Sequence, residues 1–149
     1  MNSLEAKRKV LQRDLQGYMN LIMDFHPIAM ASLKTKEDDA MIVNMLLTET
    51  NEQIMRIMEK LETFQHGYTF ERMRHTMSLL HELEQMMDQM HTNLLKAHLC
   101  KEQYDGSVLY KTYYEMTRSV TAFYTELSEY SYRIQQKEGI LGPTCKICA

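Results

Sequence analysis

Between Ser107 and Lys137, Leu109, Tyr113, Met116, Val120, Phe123, Leu127, Tyr130 and Ile134 recur at spacings of four and three in strict alternation. A seam of that period belongs to α-helices packed side by side at shallow angles, as in coiled coils and bundles. The same signature recurs upstream in Val43, Leu47, Thr50, Ile54, Ile57, Leu61 and Phe64. Met73, Met77, Leu80, Leu83, Met87, Met90 and Leu94 form a third apolar arc, and Leu4, Leu11, Leu15, Tyr18, Ile22 and Phe25 a fourth. Each set returns to one helical face.

The strong breakers are few: His26-Pro27, Gly67, Asp105-Gly106, Gly139 and Gly142-Pro143. They delimit helical segments from about Ser3 to Phe25, from Thr35 to the Gly67 break, from Thr69 to about Tyr104, and from Ser107 to about Lys137. Pro27 is expected to kink or end the first, with Ile28 to Leu33 adding another turn or two. Thr35 and Asp38 resemble a variant capping box for the second, and Glu37, Asp38 and Asp39 suit its dipole. Short connections make neighbours antiparallel. The expected fold is an all-α, up-down-up-down four-helix bundle with helices about 35–50 Å long. It forms one domain over residues 1–138, followed by a short non-helical tail over 139–149. Heptads do not say whose helix they face, so pairing with a second copy is the alternative.

Only 5 Gly and 2 Pro leave little material for the turns of an all-β domain. A 44% hydrophobic fraction with a net charge of −3 argues against disorder and offers nucleic acid or an anionic membrane no electrostatic attraction. The basic run Lys7-Arg8-Lys9 reads as a solvated face, with the acidic second segment as its counterweight. No stretch approaches the ~18 apolar residues that span a bilayer. The polar start of the chain lacks the apolar core of a secretory leader. Three cysteines (Cys100, Cys145 and Cys148) are too few and too C-terminal to staple the body. The reading is an intracellular, cytoplasmic chain without a membrane partner.

Candidate chemistry is sparse. Carboxylate-bridged metal pairs in bundles use Glu-x-x-His motifs, and the nearest match is Asp88-x-x-His91. The pairs Glu62/His66, Glu71/His75 and His98/Glu102 each share a helix face. Glu84, His91 and His98 lie along one edge of the third arc, but successive members are about 10 Å apart, so one ion would need ligands from another helix. Core or boundary histidines are the plainer reading. There is no Gly-x-Ser-x-Gly elbow and no glycine-rich phosphate loop, and Cys100 reads as a small buried hydrophobe. No catalytic residue is named, and the chain reads as non-enzymatic.

The tail carries Cys145-Lys146-Ile147-Cys148. Two thiolates at this spacing can hold one zinc, which then needs two further ligands. Three readings follow: a chain cut just inside a zinc module, two copies sharing one zinc, or an unliganded or redox-active tail. The string resembles the opening of a RING finger or another zinc finger, over five residues of 149. That resemblance implies a helical module placed just before a ubiquitin-ligase RING.

Methionine and tyrosine point to a partner. Met41, Met45 and Met55 fall away from the second seam by roughly 120° or more. Tyr110, Tyr114, Tyr124 and Tyr132, with Thr117, Thr121 and Ser128, form a second stripe about 100° from the fourth seam. Either the stripe packs at the bundle's shoulder, or it docks a partner helix or a second copy. The expected function is a non-enzymatic interaction module: an adaptor, scaffold or oligomerisation domain. A metal-dependent helical protein is the alternative.

Overall fold

A computed structural model describes residues 2–99 and 106–138, which form four α-helices and one short 3-10 turn. They are α1 (Asn2–Ser32), α2 (Glu37–Thr63), α3 (Phe70–Lys96) and α4 (Gly106–Glu138), with the 3-10 turn Phe64–His66 directly after α2. Each helix packs against the next in the cycle α1, α2, α3, α4 and back to α1.

Lateral hydrogen bonds fix the directions. Arg8 near the start of α1 donates to the carbonyl of Leu61 near the end of α2 (2.9 Å), and His26 and Asn44 join the opposite ends at 2.6 Å. Gln53 of α2 donates to the carbonyl of Leu79 in α3 (3.0 Å), and the Tyr113 hydroxyl of α4 donates to Asp88 of α3. Lys7 pairs with Glu126 at 2.7 Å, and Ser119 donates to Asp14, closing α4 against α1. Neighbours are therefore antiparallel, and the bundle closes within one chain as an up-down-up-down four-helix fold.

The seams supply the core. Leu11, Leu15, Tyr18 and Ile22 of α1 meet Leu47, Ile54 and Ile57 of α2, Leu80, Leu83 and Met87 of α3, and Val120, Phe123 and Leu127 of α4, all fully buried. Truncating any of the buried leucines to alanine is worth about 2–5 kcal/mol of stability.

Four details refine the sequence expectation, the first along the line of the extra turns expected from Ile28 to Leu33. α1 continues through Pro27 to Ser32. Proline forgoes only the N–H that would reach the Met23 carbonyl, while Ala29 and Leu33 beyond it are buried, so packing carries the helix past the break. The Thr35/Asp38 box does not form, because α2 starts at Glu37 with Lys36 at its cap and no side-chain cap bond. The acidic first turn offsets the dipole instead. Thr69 does cap α3, accepting from the Arg72 N–H at 3.3 Å.

α3 stops at Lys96 rather than near Tyr104. The Leu99 N–H reaches the Leu94 carbonyl (2.9 Å) and the His98 N–H reaches that of Leu95 (3.1 Å), with His98 at φ 58°. That is a Schellman ending with histidine in the left-handed position. Finally, the α4 seam drifts. Tyr130 and Ile134 are half-buried while Ser131 and Gln135 turn inward, since a 3.6-residue helix slips about 20° per heptad.

Candidate functional site

The buried residues of α2 are Val43, Leu46, Leu47, Thr50, Gln53, Ile54, Ile57 and Leu61, all on one side of the helix. The opposite side carries the off-seam methionines. Met41 is 69% exposed, Met45 48% and Met55 53%, far beyond what a core side chain would show. They stand on the outer face of the bundle among carboxylates.

On α4 the same separation holds. Leu109, Met116, Val120, Phe123 and Leu127 are buried, whereas Tyr114 and Tyr132 are each 57% exposed and Tyr124 37%. Tyr114 and Tyr132 are thus more than half exposed and Tyr124 lies at the boundary, while the Tyr114 ring stands edge-on to Tyr113 at 5.6 Å. Thr121 and Ser128 are exposed with them, and Thr117 is half-buried, bonding the Tyr113 carbonyl at 2.9 Å. The side chain of Tyr110 lies outside the described residues.

Inside the bundle, α1 and α3 meet across its diagonal. The Tyr18 hydroxyl and His91 Nε2 share a 2.8 Å hydrogen bond in the core, and the Tyr113 ring stands edge-on to His91 at 4.4 Å. Burial raises the Tyr18 phenol above its usual range and lowers His91 to about 4, so both are neutral at pH 7. A neutral pair hydrogen-bonded in this way, away from solvent, helps to specify the core.

At the opposite end Glu5 takes 2.7 and 2.6 Å hydrogen bonds from Arg8 and Tyr68. The Arg8 bond, then that of Tyr68, holds its carboxyl below the ordinary range. The basic run is dispersed: Lys7 turns to α4, Arg8 to Glu5 and Leu61, and Lys9 to solvent. Of the three, Arg8 meets α2, where it bonds the Leu61 carbonyl and feels the charge of Glu62.

The proposed ligand edge also separates. His91 enters the core, Glu84 is half-buried, and His98 is exposed beyond the end of α3, so the three are not gathered. Among the described residues no three His, Cys, Asp or Glu side chains come together as a metal site. Cys100, Cys145 and Cys148 lie outside the described residues. None of the described helices is long and apolar enough to cross a membrane.

Sequence reasoning missed two things. Met23, Ile28, Ile42 and Leu95 are exposed and extend the apolar surface at the end of the bundle where α2 begins. Phase alone identifies Met23, about 140° round from Tyr18. The Tyr18–His91 bond has no local signal, since its partners are 73 residues apart. No family model, curated protein or solved structure matches this chain.

Proposed function

We propose that this chain is a non-enzymatic helical interaction module, an adaptor, scaffold or oligomerisation domain. It docks a partner helix through the methionine face of α2 and the tyrosine stripe of α4. One observation carries the reading: the four-helix core is complete within one chain, yet Met41, Met45, Met55, Tyr114, Tyr124 and Tyr132 remain outside it. Tyrosine suits such a surface, with a large ring to bury and a hydroxyl that tolerates water. Methionine adapts to irregular apolar partners.

The test is solution mass by light scattering over a range of concentrations, combined with site-specific photocrosslinking from Met45 and Tyr132. Discrete adducts from these two positions, and none from the exposed polar Gln16, are expected. Alanine at Tyr114 and Tyr124 should abolish the Tyr132 adduct while leaving helicity intact. A chain that is monomeric throughout and yields no adduct from either face overturns the reading.

A further inference from the structure

The outward side of α2 combines two features that together select a partner. Met41 and Met45 stand on successive turns, and Met55 lies about 21 Å from Met41 along the axis. α1 adds Met23, three residues before the His26 that bonds Asn44 across the α1–α2 seam. Around this row Glu37, Asp38, Glu49, Glu52, Glu59 and Glu62 are all exposed. Arg56 is exposed on this side of the helix and engaged by Glu52 at 3.7 Å, and the exposed Lys34 and Lys36 stand beside Glu37 and Asp38 before the first turn. Lys60 is half-buried, and the ion pairs of α1 run to Glu5, Asp14 and Glu126, with Glu62 adding its charge to Arg8.

Met41 and Met45 form an apolar pair one turn apart, and Met55 follows beyond Thr48, Glu49 and Glu52, so a helix crossing α2 at this pair meets an i, i+4 anchor site with carboxylates around it. The flanking carboxylates then decide its sign. A helix with Lys or Arg beside its apolar stripe meets opposite charge along both edges, while an acidic helix is repelled. A second copy is disfavoured on the same ground: a two-fold pairing through this patch would set each carboxylate row against itself.

Building on the interaction-module reading, we infer that the outer face of α2 is a docking site for a basic amphipathic helix. Its apolar side chains lie on Met41 and Met45, and its cations face Asp38, Glu49 and Glu52.

The probe is a fluorescent Leu/Lys helical peptide of about 18 residues, patterned at i, i+3, i+4 and i+7. It is titrated into the full chain by anisotropy, with a Leu/Glu peptide of identical pattern as comparator. Met41→Gln/Met45→Gln is expected to weaken Leu/Lys binding about tenfold or more, with helicity unchanged because both side chains are exposed. Glu49→Gln/Glu52→Gln should weaken it about tenfold at low salt, and less at high salt. Glu115→Gln/Glu129→Gln, on α4, should change it by less than about twofold.

Equal losses from the α2 and α4 acid pairs would reduce the effect to net charge and overturn the inference. Equal binding of the Leu/Glu peptide, lost with the methionines, overturns the basic partner but leaves the interaction module standing. Concentration-dependent dimerisation abolished by Met41→Gln/Met45→Gln makes a second copy the occupant and likewise overturns it. If neither peptide binds and the chain stays monomeric without crosslinks, both readings fall together.

Discussion

Tyr18 and His91 show how one buried pair sets the acid limit of the fold. Burial holds the His91 imidazole at about 4, against 6.5 for an exposed histidine. An unfolded chain therefore takes up a proton near pH 6.5 that the folded chain refuses until about pH 4. The stability this group confers is complete above pH 6.5 and drains away as pH falls towards 4. At about 1.4 kcal/mol per unit that drain totals about 3 kcal/mol. Urea midpoints measured from pH 7 to 5 should fall accordingly, in a window above the range where carboxylates such as Glu5 titrate. Tyr18→Phe/His91→Leu, which replaces both partners with apolar groups, should flatten the slope; a slope that survives it would place the titration elsewhere. Along the chain only the apolar setting of both residues is legible. Their pairing is a product of the diagonal across the bundle, which no spacing within one helix encodes.

At the level of the helices, periodicity was legible and termini were not. The α4 seam identifies Leu109, Met116, Val120, Phe123 and Leu127 as core, and all five are buried. Thr35 and Tyr104 failed as boundaries for different reasons. Lys36 takes the α2 cap without a capping side chain, leaving nothing for a capping rule to find. At the end of α3 the chain turns on His98 at φ 58°, a conformation that usually advertises itself with glycine. That mismatch has a measurable consequence. His98→Gly removes the strain of a β-carbon in the left-handed region while keeping both backbone bonds of the motif, and should raise stability by about 1 kcal/mol. A thermal midpoint lowered by this substitution would mean that the imidazole makes contacts outweighing its backbone cost. The exposure of Met41, Met45 and Met55 was legible for the same reason as the core, because residues that miss a seam by a third of a turn or more must point elsewhere.

Across the whole molecule the described methionines run from sealed to exposed, with Met19, Met30, Met58, Met77 and Met86 half-buried between the extremes. Met73, Met87, Met90 and Met116 are sealed in the core, whereas Met23, Met41, Met45 and Met55 stand in solvent. Thioethers oxidise according to access, and a sulfoxide turns a flexible apolar side chain into a polar one. In the core that change would break the packing; on α2 it would leave the bundle intact and spoil only the outward row. Brief treatment with dilute peroxide, followed by peptide mapping, should therefore oxidise the four exposed methionines first, with helical circular dichroism preserved. Affinity for the Leu/Lys peptide should drop with the extent of oxidation at Met41 and Met45, about as far as in Met41→Gln/Met45→Gln. Core methionines oxidising at the same rate would instead show that the bundle opens readily. Retained affinity after full surface oxidation would mean that the row contributes no apolar contact. The acidic flanks cannot substitute for it, because exposed charge pairs contribute at most about 1 kcal/mol each and are screened by salt. On the proposed docking reading the methionines therefore supply the binding energy, and the carboxylates around them select the partner's charge.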